Sequence, residues 1–129
     1  MAIPTIFLEV RKDVESSLKK YTKQDWLNHA RSLQNLDKKT KKVETLTILV
    51  ESLIPKTKKF QDLIIKREYK GSLWSVLNKE LILLNHIDNL FESLKNKKIT
   101  ENQLWAISTD LAKELTITAK LEETMLKNL

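Results

Sequence analysis

Two histidines, His29 and His86, are the only side chains in this sequence whose ordinary titration falls near neutral pH, so acid–base or metal chemistry is sought around them first. Asp25 and His29 stand four apart, which on a helix puts a carboxylate and an imidazole on one face, half of a metal site. The Glu-x-x-His pattern of carboxylate-bridged metal bundles occurs nowhere, and no further ligand adjoins this pair in the sequence. No metal or cofactor is therefore expected, and His29 reads as a surface or boundary residue. His86 lies in "LNHIDNL" among Asn85, Asp88 and Asn89, the mark of a solvated helix face. With a single glycine, Gly71, the chain can form neither a nucleophile elbow nor a phosphate-cradling loop. It is expected not to be an enzyme and to take no small-molecule substrate.

The other chemistry is charge. Residues 1–70 hold sixteen Lys and Arg against nine Asp and Glu, whereas residues 71–129 hold seven against eight. The excess gathers at Lys38, Lys39, Lys41, Lys42, Lys56, Lys58, Lys59, Lys66, Arg67 and Lys70. "KTKK" occurs twice, at 39–42 and 56–59. If Thr40 and Thr57 cap helices, Lys41, Lys42, Lys58 and Lys59 stand in first turns, where the helix dipole disfavours each by ~0.3–1 kcal/mol. Lysines held against the dipole, beside free amide donors, suit an anion, and a phosphate backbone is a common polyanion. The function expected from this is a non-catalytic subunit that contacts the backbone of RNA or single-stranded DNA, without strong sequence preference, within a larger nucleoprotein assembly. The alternative is an adaptor, chaperone or inhibitor that binds another protein, for which a second apolar row at Leu83 and Leu90 is the candidate surface.

Helices must position these residues, since one Gly and two Pro are too few for hairpin turns. The series Ile6, Phe7, Val10, Val14, Leu18, Tyr21 predicts a first helix over residues 4–21. "TKQD" opens a second, carrying Trp26, Leu27, Ala30, Leu33 and Leu36. Val43, Leu46, Leu49, Val50 and Leu53 make a third that Pro55 should end near Leu53, although residues 22–54 also read as one helix. Phe60, Leu63, Ile64 and Arg67 predict a fourth, running to Gly71. Leu73 to about Lys97 forms the fifth, and after a Thr100–Gln103 capping box the last carries Leu104, Ile107, Leu111, Leu115, Leu121 and Met125. The three tryptophans, Trp26, Trp74 and Trp105, fall in first turns and should fasten each entering chain to the core.

The fold class is all-α, an up-and-down bundle of five or six helices in a single domain over residues 1–129. No stretch approaches the ~18 apolar residues of a membrane span. Without cysteine or a signal-like start, the protein is expected in the cytoplasm.

Overall fold

A computed structural model describes residues 23–34, 36, 42–63 and 72–127, and among them every regular element is a helix. The helices are α1 (Lys23–Gln34), α2 (Val43–Leu63), α3 (Ser72–Lys95) and α4 (Glu101–Lys127). The expected first helix, and Ile64, Arg67 and Gly71 of the expected fourth, lie outside the described residues. Helices α1 and α2 are separate, with Leu36 in a turn after α1 and Lys42 in a bend before α2.

Helix α2 corrects the reading at Pro55. The proline lies inside the helix, and the expected third and fourth helices are one. Proline leaves the Glu51 carbonyl without its amide donor and costs ~3 kcal/mol in a helix interior. Here the core-facing row Leu46, Val50, Leu53 continues in helical register through Thr57 and Phe60, and Phe60 is buried. Full burial of one such aromatic is worth about 1.5–3 kcal/mol, so the packing beyond the proline offsets the lost bond. Pro55 itself points to solvent, which spares the core its ring.

Helices α3 and α4 begin and end as local chemistry directs. The Thr100 amide donates to Gln103 Oε1 at 2.8 Å and the Gln103 amide to Thr100 Oγ1 at 3.2 Å, a complete capping box. At the end of α3, the Lys98 amide reaches the Ser93 carbonyl and the Lys97 amide the Leu94 carbonyl, a Schellman closure with Lys97 at φ 57°.

The packing order is a ring: α1 on α4, α4 on α3, α3 on α2, and α2 more lightly on α1. Contacts within each pair run in opposite directions along the two helices. Trp26 meets Phe60, and Leu36 and Leu46 share the far end of the core. On the other side His29 meets Glu122, while Gln34 accepts from Thr116. The described residues thus form an antiparallel up-and-down four-helix bundle. No helix among them is long and apolar enough to cross a membrane.

Helix α4 is turned about its axis relative to the expected stripe. Its buried residues are Leu104, Ser108, Ala112, Leu115, Thr118, Ala119, Glu122 and Leu126. Ile107 and Leu121, expected inside, are 42% and 49% exposed. Small side chains at 108, 112 and 119 give a narrow inner face against which neighbouring helices can approach. The second row of α3 also faces inward: Leu83 is buried in the core, and Leu90 is half-buried against it, so Leu83 offers no partner surface.

A candidate metal centre in the bundle core

The apolar core is divided into two. One part holds Trp26, Leu27, Phe60, Leu73, Leu77 and Leu126; the other is built around Leu33, Val50, Leu84, Ile87 and Leu115. Of the buried polar residues, which also include Gln61, Ser108 and Thr118, four from four helices stand between the two parts: His29 from α1, Thr57 from α2, Glu80 from α3 and Glu122 from α4. Each stands three or four residues from buried apolar neighbours on both sides, so the same amphipathic packing that buries those neighbours buries it too.

The geometry joins all four. His29 Nδ1 lies 3.1 Å from Glu122 Oε2, and Nε2 lies 2.8 Å from Thr57 Oγ1. One ligand atom each from His29, Glu80 and Glu122 can be chosen so that all lie within 4.8 Å of one another. The arrangement is held from outside. Glu123, next to Glu122, accepts from Gln34 at 2.6 Å and from Arg31 at 3.4 Å, clamping α1 to α4. Gln61 donates to Asn78 at 3.3 Å and ties α2 to α3 near the layer. Phe60 packs on both the Trp26 ring, at 4.8 Å, and the His29 ring, at 5.0 Å, which fixes the imidazole plane.

Burial sets the protonation. It pushes the His29 pKa down to about 4, against the pull of Glu80 and with a further push from Lys56, so the imidazole is neutral at pH 7. The His29–Glu122 contact is then a neutral hydrogen bond rather than an ion pair. Burial raises Glu122 to about 8, and raises Glu80 well above the usual carboxylate range, with the neighbouring Glu122 adding to the rise. Both Glu80 oxygens and Glu122 Oε1 are buried with no donor among the described residues. An ionised carboxylate only accepts, so the two acids can bond to each other only when one holds a proton. Three buried acceptor oxygens thus converge with an imidazole and lack a donor, an arrangement that costs several kcal/mol unless a proton or a cation fills it.

A divalent cation fits that deficit. Two carboxylates and one neutral imidazole neutralise a 2+ ion, leaving no net charge in the core. Ligand atoms around an ion with ~2.1 Å bonds stand roughly 3.4 Å apart, so the present spacing of up to 4.8 Å must close by as much as roughly 1.4 Å. Imidazole with carboxylate suits Zn²⁺, Fe²⁺ or Mn²⁺, and the absence of thiolates disfavours softer ions. Nδ1 faces Glu122, which makes it the ligand atom, and Nε2–H would then donate to Thr57, an outer partner of the kind that orients a metal-bound histidine.

The residues singled out in the sequence fall elsewhere. Asp25 is exposed in the first turn of α1 and takes no part in the layer. Thr57 is no cap but a buried helix-interior residue, because α2 runs through Pro55. Lys58 and Lys59 accordingly stand inside α2, beyond its first turn, where the dipole does not oppose them, and with Lys56 they are exposed. Lys42 immediately precedes α2, its carbonyl accepting from Leu46, with Glu44 in the first turn. Lys38, Lys39, Lys41, Lys66, Arg67 and Lys70, with Thr40, lie outside the described residues. His86 is exposed, as its polar neighbours imply; Trp26 is buried, and Trp74 and Trp105 are half-buried.

No protein-family model matches the chain, and neither a curated protein nor a solved structure is found similar to it.

Proposed function

We propose that this protein is a metal-binding helical bundle that holds one divalent first-row transition metal ion in its core through His29 Nδ1, Glu80 and Glu122. The observation that carries this is the convergence of an imidazole with two fully buried carboxyl groups, three of whose four oxygens have no hydrogen-bond partner among the described residues, supplied by three different helices. Thr57 orients the imidazole and touches no metal. The layer is sealed by Trp26, Phe60 and Leu77 on one side and by Leu53 and Leu84 on the other, which suits an ion that staples the bundle rather than one that turns over a substrate.

The test is equilibrium binding of Co²⁺, whose visible absorption reports coordination number, followed by displacement with Zn²⁺. The proposal expects one ion per chain, and Glu80→Gln, Glu122→Gln and His29→Ala should each abolish it. Thr57→Val should weaken binding by ~10–100-fold and leave the stoichiometry unchanged. Binding that survives Glu80→Gln and Glu122→Gln together would place the ion elsewhere and end the proposal.

A second proposal concerns the outer surface. Lys56, Lys58 and Lys59 are exposed within one turn of α2 and lead toward Lys66, Arg67 and Lys70 in the sequence, which supports contact with a phosphate backbone. Fluorescence anisotropy with a labelled oligonucleotide over ~50–300 mM salt should then show affinity falling steeply, and Lys→Glu changes at 56, 58 and 59 should remove it. Binding that ignores salt or survives those changes would refute it.

A further inference from the structure

The ring of four helices closes its own core, yet large apolar residues remain outside it. Four of them share one side: Ile82 on α3 and Ile107, Ile117 and Leu121 on α4 are each 42% exposed or more, and the other two helices add only Ile48 among the described residues. Ile117 and Leu121 line an open groove of about 540 Å³ between α3 and α4, floored by Val76 and flanked by Lys79 and Lys120. No acidic side chain lines it. The acids come further along the same stripe. Ile107, Asp110, Glu114, Ile117 and Leu121 follow one another at steps of three, four, three and four, which keeps them on one face of α4, and Asp110 and Glu114 are exposed. The intervening Lys113 lies off that stripe. Along its length the face is thus acidic at 110 and 114, apolar at 117 and 121, and basic beside 120. Neither these acids nor Lys79 and Lys120 form an ion pair with another described residue.

We propose that this face is an interface between two copies of the chain, packed about a two-fold axis that crosses α4 at the level of Thr118. A two-fold contact sets a surface against itself in reverse, so a face that is basic at one end and acidic at the other meets its own complement. The core layer fixes the levels: Glu80 and Glu122 stand together, and α3 and α4 run in opposite directions. Counted from there, Ile82 is level with Lys120, and Lys79 with Glu123. Glu114 then lies about 6 Å to one side of the axis, with Lys120 and Lys79 about 3 and 8 Å to the other, at a rise of 1.5 Å per residue. Each Glu114 therefore meets the lysine pair of the opposite copy. Ile82, Ile117 and Leu121 stand within about 5 Å of the axis level and supply the apolar centre. From Ile107 to Thr124 the face is about 25 Å long, and two helices make it about 20 Å wide, roughly 500 Å² on each copy. The total of about 1,000 Å² is the lower bound of a specific interface, which sets a micromolar, reversible dimer rather than a permanent one.

Sedimentation equilibrium of the full-length protein over ~1–300 μM should show monomer passing to dimer and no further growth, since a two-fold contact closes on itself. Ile117→Asp should weaken the association by at least ~30-fold, the loss of a central apolar anchor. Ile48→Asp, on α2 at matching exposure (68% against 69% for Ile117), should leave it unchanged. Charge reversal tests the register. A Glu114→Lys chain, and a chain with Lys79→Glu and Lys120→Glu together, should each be monomeric alone and should form a one-to-one dimer when mixed, because only the mixture opposes unlike charges across the axis. Every changed position is exposed, so the core stays intact, and pairing on mixing itself shows that both variants are folded. A wild-type chain that remains monomeric at the highest concentration would overturn the proposal. So would a dimer that survives Ile117→Asp or is lost equally with Ile48→Asp, or reversed variants that do not pair on mixing.

Discussion

Proton release gives the sharpest test of the core site. At pH 7 His29 is already neutral, with its pKa near 4, so it has no proton to lose to a metal. Glu122, raised to about 8, holds its proton at pH 7 and must lose it to bind, and burial pushes Glu80 in the same direction. Below pH 8 the Glu122 proton therefore leaves on binding, and apparent affinity should climb by at least ~10-fold per pH unit from pH 6 to 7.5, with a shallower slope above 8 as Glu122 ionises unaided. A solvated His–Glu–Glu site behaves otherwise: its carboxylates are ionised by pH 6, one proton from histidine is displaced near pH 6.5, and affinity is flat above 7. Isothermal calorimetry of Zn²⁺ binding in buffers of differing ionisation enthalpy counts the protons directly. The same linkage acts on the metal-free fold. A buried acid whose folded pKa exceeds its unfolded value of about 4.5 contributes stability that is intact below 4.5 and lost as pH rises toward 8. Thermal melts should show the metal-free protein weakening from pH 5 to 8.5 and the gap to the metal-loaded form widening. Release of no proton at pH 7, or metal-free stability that is level across that range, would refute the assigned protonation and with it the argument for a cation-shaped deficit.

Further outcomes follow from individual residues. Glu80→Leu removes a buried carboxyl that has no donor, so it should raise metal-free stability at pH 8 by about 1–4 kcal/mol in urea unfolding while abolishing metal binding. Pro55→Ala restores the donor to the Glu51 carbonyl at an exposed position and should stabilise by roughly 1–3 kcal/mol. Lys97→Gly relieves a side chain held at φ 57° in the Schellman closure and should add about 0.5–1 kcal/mol, read as a higher urea midpoint at unchanged slope.

How much of this was legible in the sequence depends on what the apolar stripe was allowed to contain. Helix existence, the Thr100 capping box and the end of α3 near residue 97 followed from spacing and caps, which act within a turn or two. Pro55 misled because proline's local cost was weighed without the burial of Thr57 and Phe60 beyond it, a contribution that exists only once α1 and α3 are in place. Helix α4 misled for a related reason: Ile107 and Leu121 are more hydrophobic than Ala112 and Ala119, but a face of small residues allows close approach, and that steric term is invisible to a count of apolar letters. The core site was missed because His29 was read as a surface or boundary residue and Thr57 as a helix cap, while Glu80 and Glu122 stood in no motif that drew a reading. Yet His29 stands between Trp26 and Leu33, Glu80 between Leu77 and Leu84, and Glu122 between Ala119 and Leu126, each at the three- or four-residue step of its own buried row. A single titratable residue on such a row reads as a boundary position; three on separate helices, in a bundle whose neighbours are antiparallel, are brought to one level when the helices align. What no spacing rule supplies is that level, because it depends on how far each helix slides against the next.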